Sequence, residues 1–428
     1  MYDLKIRPLG HFDVAVVGGG VAGVAAAVSA AREGARVVLI ERSGSLGGTL
    51  TEGFVPRIID MQNKGGIVRE LFTALDADEC TCRRFGKKTD DSGKNIPGDL
   101  VDTEACKYVF DKLVTEAGVK LLLYSQVMAV EMRGREIGSL LVATELGNLS
   151  LSAEVYIDAS GHGALADMAG CEWECGHPET GTPQSVSVGV CTVGMPDGYA
   201  GTDTKEDKDA YGAMLKAHGI SVSAEQANVI ALPSKNTWVF AASFGYGVMP
   251  DDIEALTAAT VEGRREGYEV IREHKRIEGY ESLAVAFTSS HAGIREGRRV
   301  FGEYRISDED ITEGRKFSDG ICTVTFTVDV HKMSADDTTD CRRGIRTKPY
   351  HIPYRALVAR DCDNLLLAGR CISGDFFPHA SYRVMGNMAA TGEAAGFAAA
   401  KCAKGATRPR LVDGKEVRAF MEGRGYEI

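Results

Sequence analysis

Three glycines at a fixed spacing, Gly18, Gly20 and Gly23, lie between an apolar segment and a run of small residues. In this spacing the first glycine permits a sharp turn, the second lets the backbone approach a pyrophosphate, and the third lets a helix pack closely on the preceding strand. The free N–H groups at the helix N-terminus attract phosphate oxygens. Glu41 ends the next apolar segment about 20 residues on, where a carboxylate accepts hydrogen bonds from ribose hydroxyls. Together these residues predict a dinucleotide-binding site.

A second glycine-rich turn follows the acidic residue directly. It contains Arg42, Gly47, Gly48 and Thr49. Its glycines let the backbone run beside a bound ligand, and its amides and the Thr49 hydroxyl are donors for phosphate or ring edges. An ordinary surface loop is also rich in glycine, so both interpretations stay open for this segment.

Small residues also end two later apolar segments. Ser160 and Gly161 end one of them, and Gly369 and Arg370 end the other. Ligands of open α/β sheets bind at the carboxyl ends of the strands, so these turns are candidates for the same site. His162 is a candidate for a phosphate contact, but we expect it to be a solvent-facing loop residue.

The elements that must position these residues follow from hydrophobic periodicity. Buried strands are predicted at 13–17, 35–41, 119–124, 154–159 and 363–370, hairpin-like strands up to about 155, and a small-residue helix at 385–401. The polar residues 76–100 are predicted to form a surface excursion, that is, a segment that leaves the core. Alternating strands at 184–190, 237–242 and 323–329 and helical patterns at 203–229 and 252–273 indicate a second unit. We therefore predict an α/β protein with a Rossmann-like, parallel-sheet domain (1–170 and 351–428) and an inserted α+β substrate or cap domain (171–350).

Composition limits the possible partners and location. The chain of 428 residues carries a net charge of −11, which argues against nucleic acid or an anionic membrane as a main partner. No apolar run has the length of a membrane span, and the first residues lack the features of a signal peptide. Eleven scattered cysteines suit a reducing compartment better than a disulfide framework. We expect a cytoplasmic enzyme.

The chain resembles a known group, the FAD-dependent oxidoreductases of the glutathione-reductase superfamily. The segments that carry this resemblance are 16–23, 41–51, 157–163 and 364–396. Further segments, 293–310, 329–331, 352–355 and 368–373, are similar to the branch that contains the fumarate reductase and succinate dehydrogenase flavoproteins.

The resemblance implies non-covalently bound FAD. The first glycine turn would hold the pyrophosphate, Glu41 the ribose, and the backbone near Val127 the adenine. The helix that contains Gly392 and Ala395 would direct its amino end at the flavin ring, and Asp375 is a candidate ribityl contact. The implied cofactor-binding residues are Gly18, Gly20, Gly23, Glu41, Arg42, Gly47, Gly48, Thr49, Val127, Ser160, Gly161, Gly369, Arg370, Gly392 and Ala395.

The resemblance also implies catalytic residues. His379 and Arg383 are similar to the His-x-x-x-Arg signature of fumarate reductases, in which the arginine holds a substrate carboxylate and helps to move a proton. A guanidinium suits this role because its planar fork matches a carboxylate. The alternative is a structural loop with Arg383 in a salt bridge.

A second cationic cluster contains His291, Arg295, Arg298 and Arg299. On a helix the three arginines would share one face, and Arg295 is our further catalytic candidate for an acidic substrate. A solvated face, or arginines that bridge two domains, explains the pattern equally well.

Cysteine spacing separates this chain from some members of the superfamily. Disulfide reductases carry a redox cysteine pair directly after the second glycine motif, but here the first cysteine after Thr49 is Cys80. Cys171, Cys175 and His177 have only loose metal-ligand spacing, so we predict no metal site.

The predicted function is an FAD-dependent oxidoreductase that transfers a hydride between bound flavin and a small organic substrate, with carboxylates among the candidates. An oxygen-using flavin hydroxylase or oxidase and a non-redox FAD-binding protein stay open as alternatives. The electron partner is left open.

Overall fold

The computed structural model describes residues 5–82, 99–202, 204–224, 227–241, 243–334 and 344–428. The strands are β1 (Ile6–Val17), β2 (Val37–Ile40), β3 (Thr81–Cys82), β4 (Leu100–Val101), β5 (Lys120–Leu122), β6 (Ser125–Arg133), β7 (Glu136–Thr144), β8 (Gly147–Asp158), β9 (Trp173–Glu174), β10 (Val186–Ser187), β11 (Val190–Val193), β12 (Asn228–Ala231), β13 (Thr237–Ala241), β14 (Ala284–Thr288), β15 (Gly293–Ile294), β16 (Arg299–Val300), β17 (Gly320–Val324), β18 (Tyr350–Pro353) and β19 (Leu365–Leu367). The helices are α1 (Val21–Arg32), α2 (Gly66–Ala77), α3 (Thr103–Glu116), α4 (Ala164–Met168), α5 (Lys205–Ala217), α6 (Ile253–His274), α7 (Asp308–Glu313), α8 (Phe376–Tyr382), α9 (Met385–Gly405) and α10 (Gly414–Gly423). Most of the predicted surface excursion at 76–100, namely 83–98, lies outside the described residues.

The main sheet has the strand order β5-β2-β1-β8-β7-β6, with β19 also beside β8. Strand β1 pairs in parallel with β2 and β8, and β19 pairs in parallel with the last part of β8. The carboxyl ends of these strands therefore meet at one edge, where the turns after Val17, Ile40, Asp158 and Leu367 come together. The predicted α/β fold with a parallel sheet is confirmed.

Helix α9 is almost entirely buried and packs against α1. Both helices are rich in alanine and glycine, so their backbones approach closely: a methyl group on Gly396 would lie only 2.2 Å from the carbonyl oxygen of Ala26. Helix α9 thus packs closely on the helix that follows the first glycine turn, as its composition predicts.

A second, smaller core surrounds the antiparallel sheet β12-β13-β11-β14. Its buried residues lie between Val190 and Leu283 and include side chains of α5 and α6. By contrast, Val300, Ile321 and Val324 belong to the core of the main sheet, although they fall within the predicted second domain. The second core is therefore narrower than the predicted range 171–350.

No helix within the described ranges has both the length and the apolar character needed to cross a membrane.

Candidate functional site

The first glycine turn has the geometry that its spacing predicts. Gly18 adopts a φ of +102°, and a methyl group there would lie 2.5 Å from the carbonyl oxygen of Ala159. A methyl group on Gly23 would lie 1.8 Å from the carbonyl oxygen of Gly18. Gly20 differs, because a methyl group on it would meet nothing within 4 Å. Gly18 and Gly23 are therefore required for packing, whereas Gly20 faces open space at the start of α1.

Glu41 lies directly under this turn and is 6% exposed. Its carboxylate accepts hydrogen bonds from the Gly19 amide at 2.5 Å and from the Ser43 amide at 2.7 Å. The Ser43 hydroxyl donates to the same carboxylate. The acid that sequence spacing singled out thus connects both glycine-rich turns.

A cavity of about 310 Å³ extends from the first glycine turn along the carboxyl edge of the main sheet. Many of the residues predicted for the site line it: Gly18, Gly20, Glu41, Arg42, Gly47, Gly48, Thr49, Ser160, Gly161, Arg295, Gly369, Arg370 and Arg383. The cavity also takes in residues that were not selected, among them Asp329 and His331. Residues from distant parts of the chain therefore share one site.

Four predicted cofactor residues are not on the cavity wall. Gly23 lies beneath the turn, Val127 is buried in β6, and Ala395 is buried in α9. Gly392 packs against the backbone of Ala22 on α1. Gly392 and Ala395 themselves have packing roles, because α9 presents to the cavity its first turn rather than its middle. The contact of the backbone near Val127 with adenine and that of the amino end of α9 with the flavin stay predictions.

His379 also differs from its expected position. It is fully buried in α8, does not line the cavity, and packs edge-on against Tyr382 with 5.5 Å between ring centroids. Burial, with a smaller contribution from Arg299, Arg383 and Arg370, holds its pKa well below the ordinary value. The prediction that His379 contacts substrate is therefore corrected: α8 turns its ring into the core.

Asp375 is likewise corrected as a ribityl contact. Its carboxylate forms an ion pair with Arg305, and it does not line the cavity.

Arg370 connects the two ends of the chain at the cavity. Its Nη1 donates to the hydroxyl of Thr49 at 2.9 Å. Burial and then the positive charges of Arg383 and Arg42 lower its pKa to about 10. Its Nε is buried and has no hydrogen-bond partner among the described residues. Arg370 therefore offers an unused donor beside the second glycine turn.

The far end of the cavity contains two arginines. Arg383 is 12% exposed, and its Nη2 donates to the backbone oxygen of Asp329 at 2.9 Å. The same Nη2 lies 3.4 Å from the Oδ2 of the Asp329 carboxylate. Arg295 donates to the backbone oxygen of Ser185 at 2.7 Å and stacks over Phe244 at 4.8 Å. Burial and then the charge of Arg383 lower the pKa of Arg295 to about 9. This end of the cavity is therefore cationic.

Asp329 and His331 complete this end and were missed as functional residues. The His331 Nε2 lies 3.3 Å from the Asp329 Oδ2. Burial raises the pKa of Asp329, but His331, Arg383 and Arg295 outweigh burial and hold it below the ordinary value. Burial, then Arg295, lowers the pKa of His331 to about 4. In the sequence, the only feature that could have indicated this pair is the spacing of an aspartate and a histidine two residues apart.

The other members of the second cationic cluster are ion-paired, and they do not share a helix face. Arg298 pairs with Asp167 at 3.2 Å, and Arg299 pairs with Glu174 at 3.0 Å and with Glu296. The segment forms the short strands β15 and β16, because its residues pair with β10 and β9. Only Arg295 of the three arginines lines the cavity.

His162 and His291 also line the cavity. Burial, then Arg370 and Arg42, lowers the pKa of His162 to about 3. Its expected position as a solvent-facing loop residue is corrected, since it lies between the sheet edge and the β15–β16 segment. Among the described residues, no group of three histidine, cysteine or acidic side chains is arranged to hold a metal.

Two observations test whether a flavin dinucleotide suits these residues. Gly20 leaves open space at the N-terminus of α1, where a pyrophosphate would accept backbone N–H groups. The buried Nε of Arg370 lacks a partner among the described residues, and the ring oxygens and nitrogens of a flavin accept hydrogen bonds. The residues fit the group: the first turn suits the pyrophosphate, Glu41 the ribose, and the second turn with Arg370 the flavin.

Comparisons with known proteins support the same assignment. The solved structures of CabE, an aromatic hydroxylase from angucycline biosynthesis, and of BexE, studied for oxidation during BE-7585A biosynthesis, each match with a TM-score of 0.50. They are 14% and 12% identical, over 97% and 96% of this chain and 68% and 66% of theirs, and so show the fold alone. Glutathione reductase from Schizosaccharomyces pombe is 50% identical over 64 residues, which are 15% of this chain and 14% of the relative.

The chain thus spans about one seventh of the length of that curated relative. A family model described as FAD dependent oxidoreductase matches residues 13–421, nearly the whole chain. Together with a cavity whose residues suit a flavin dinucleotide, this match establishes that the chain belongs to the FAD dependent oxidoreductase family and that its cofactor is FAD.

Proposed function

We propose that this flavoenzyme transfers a hydride between FAD and a small organic carboxylate, which Arg295 and Arg383 hold at the far end of the cavity. The observation that carries the proposal is the set of partners that these two arginines have in the cavity wall. Arg295 has a backbone carbonyl and an aromatic ring as partners rather than a carboxylate. Arg383 has an unpartnered, buried Nε.

Electrostatics favours an anion between these side chains. Each guanidinium is partly desolvated, and the charge of Arg383 lowers the pKa of Arg295 while that of Asp329 opposes this effect. Two positive charges and one negative charge leave one positive charge in excess. A bound carboxylate relieves this repulsion and accepts charge-assisted hydrogen bonds from both side chains. The excess positive charge supports a carboxylate as substrate, whereas a neutral substrate would leave this charge without a counterion.

As in flavoenzymes in general, the cofactor and the protein have different roles in the reaction. Bound FAD supplies the two-electron chemistry, and the protein binds, orients and handles protons. Arg295 and Arg383 orient the carboxylate. Membership of the branch that contains the fumarate reductase flavoproteins stays a prediction. Conversion of a carboxylate at a carbon–carbon or carbon–oxygen bond fits this arrangement.

Replacement of Arg383 by lysine tests the proposal. Lysine keeps the charge but loses the planar fork, so we expect FAD to stay bound and turnover of carboxylates to fall on the order of 10²-fold, the usual loss when a positioning contact is displaced. Arg276→Lys is the control, because Arg276 is 73% exposed on the second core. Unchanged turnover in the Arg383→Lys variant would exclude the carboxylate clamp.

An oxygen-using hydroxylase is the second candidate, because the aromatic hydroxylase CabE shares the fold. The two candidates differ in their use of oxygen. Substrate-dependent oxygen uptake with rapid reoxidation of the reduced enzyme by air would favour the hydroxylase, whereas anaerobic reduction of the flavin by carboxylates favours the first proposal.

A further inference from the structure

Beside the two arginines, Asp329 and His331 form a carboxylate–imidazole pair on the cavity wall. We propose that the Nδ1 of His331 accepts the substrate proton when the substrate is oxidised and returns it in the reverse direction, and that Asp329 is the positioning residue. The inference deepens the proposed function and rests on it.

The geometry determines which ring nitrogen is available. The His331 Nε2 lies 3.3 Å from the Asp329 Oδ2, so this nitrogen carries the hydrogen that the carboxylate accepts. The other nitrogen, Nδ1, has no hydrogen-bond partner among the described residues, and the side chain is 31% exposed in the cavity wall. A neutral imidazole bonded in this way is a proton acceptor at Nδ1.

The same carboxylate oxygen connects the imidazole with the substrate clamp. The Asp329 Oδ2 also lies 3.4 Å from the Arg383 Nη2. Asp329 therefore orients an acceptor and an anion-binding guanidinium together, and a substrate held by its carboxylate would present a neighbouring atom to His331. This proximity selects substrates whose proton leaves from an atom close to the carboxylate, such as 2-hydroxy or 2-amino acids.

The surroundings of His331 keep its ring neutral before substrate binds. The charged groups that face it are Asp329, Arg295 and Arg383, and the ring of Phe244 packs edge-on against it at 5.7 Å. Burial and Arg295 hold its pKa near 4, while Asp329 opposes this effect. The imidazole is thus neutral at pH 7. An anion between the arginines would offset their charge, so substrate binding raises the pKa of His331.

The proton balance of the step is simple. The substrate C–H bond gives its hydrogen and two electrons to the bound flavin, which is the oxidant. The O–H or N–H bond on the same carbon gives its proton to Nδ1, and a C=O or C=N bond forms.

Neither His162 nor His291 forms an ion pair with a carboxylate among the described residues; after burial, Arg370 and Arg42 lower the pKa of His162, and Arg42 lowers that of His291 while Glu52 and Glu41 oppose it. His379 is buried away from the wall. His331 is therefore the histidine that combines a free nitrogen with a positioning carboxylate.

The experiment measures proton uptake when a non-reacting probe binds to the FAD-loaded protein. The probe is 2-hydroxyisobutyrate, which keeps a carboxylate and a hydroxyl but has no hydrogen on the central carbon. Calorimetry at pH 5 in two non-carboxylate buffers of different ionisation enthalpy gives the number of protons taken up. We expect a fractional uptake by the parent protein and by His218→Gln, a surface control, and its loss in His331→Gln with binding retained.

The outcomes separate the two proposals. Equal proton uptake in His331→Gln and the parent protein overturns the role of His331 and leaves the carboxylate clamp in place. Absence of any binding heat overturns both. Asp329→Asn should move proton uptake to lower pH, because loss of the negative charge lowers the pKa of His331; a merely structural role would leave the pH profile unmoved.

Activity gives a second readout. Anaerobic reduction of the flavin by 2-hydroxy acids should slow about 10²–10⁴-fold in His331→Gln, the usual contribution of a general base. Flavin content and unfolding temperature equal to those of His218→Gln show that the variant is folded. An unchanged reduction rate in such a folded variant contradicts the inference.

Discussion

Gly392 faces the backbone of Ala22 so closely that a methyl group on it would lie 2.0 Å from the Ala22 carbonyl oxygen. Gly392 belongs to helix α9, near the C-terminal end of the chain, and Ala22 belongs to the first turn of α1, directly beside the cavity. Helix α9 therefore determines where the N-terminus of α1 points. Cofactor binding should depend on this contact even though Gly392 does not line the cavity.

Replacement of Gly392 by alanine should push α9 from α1. We expect a loss of about 1–3 kcal/mol in the free energy of unfolding, as for other overpacked sites, together with weaker FAD binding. Urea denaturation and fluorescence titration with FAD measure the two effects. Gly423→Ala is the control, since Gly423 is exposed at the end of α10 with nothing within 4 Å of an added methyl group. Equal stability of the two variants would show that α1 and α9 separate freely.

Glu41→Gln should weaken FAD binding while the fold persists. The two backbone amides that donate to the carboxylate hold it in place, and the bond it would accept from a ribose hydroxyl is lost in the variant. Hydrogen bonds to charged groups contribute about 1.5–3 kcal/mol, which corresponds to roughly tenfold to hundredfold in affinity. Flavin release on dilution gives the change in affinity. Glu145→Gln, in the exposed turn between β7 and β8, should bind FAD as the parent protein does. Similar affinities for both variants would contradict a role for Glu41.

Glu296→Gln should destabilise the protein strongly. Glu296 is 1% exposed, pairs with Arg299, and accepts hydrogen bonds from the amides of Gly176 and Gln184. Removal of one partner from a buried ion pair costs about 3–5 kcal/mol, and because Glu174 still pairs with Arg299 we expect a loss at the lower end of this range. Urea denaturation measures the loss.

The matched control for this variant is Glu172→Gln. Glu172 forms an exposed pair with Arg360 at 2.6 Å, and such surface pairs contribute about 0–1 kcal/mol. Equal losses for the buried and exposed pairs would mean that Glu174 alone compensates the charge of Arg299.

The second core should lose stability in mild acid. His274 is fully buried on α6, contacts the Tyr211 hydroxyl at 3.0 Å, and burial lowers its pKa from 6.5 to about 4. The unfolded chain therefore binds the proton between these values while the folded chain does not. The contribution of His274 is present above pH 6.5 and falls by about 1.4 kcal/mol per pH unit as the pH drops towards 4.

Thermal unfolding of the parent protein and of His274→Phe across this pH range isolates this contribution. Other buried histidines titrate equally in both proteins and cancel in the comparison. A variant whose stability declines with pH as steeply as that of the parent would show that His274 does not carry the effect.

Local patterns predicted the nucleotide end of the site well. The first glycine turn, Glu41 and the second glycine turn lie in one β–α–β segment, so their contacts depend on neighbours within about 40 residues of chain. The turns at Ser160 and Arg370 also reached the cavity, because the carboxyl ends of parallel strands meet at one sheet edge.

The substrate end was predicted less completely. Arg295 and Arg383 were selected and do line the cavity, but His379 is buried and Arg299 forms a structural ion pair. The helical spacing assumed for the arginines failed because the segment pairs with neighbouring strands. The helix and strand propensities of the segment do not predict such pairing, since the partner strands lie far away in the sequence.

The sequence by itself determined the dinucleotide-binding turn, the acid below it and the α/β fold, because glycine spacing and hydrophobic periodicity are local properties of the chain. Only the tertiary structure decided which side chains meet at the far end of the cavity. Arg295, Asp329 and Arg383 come from three separate segments, and the packing of those segments against the core sets the direction of each side chain.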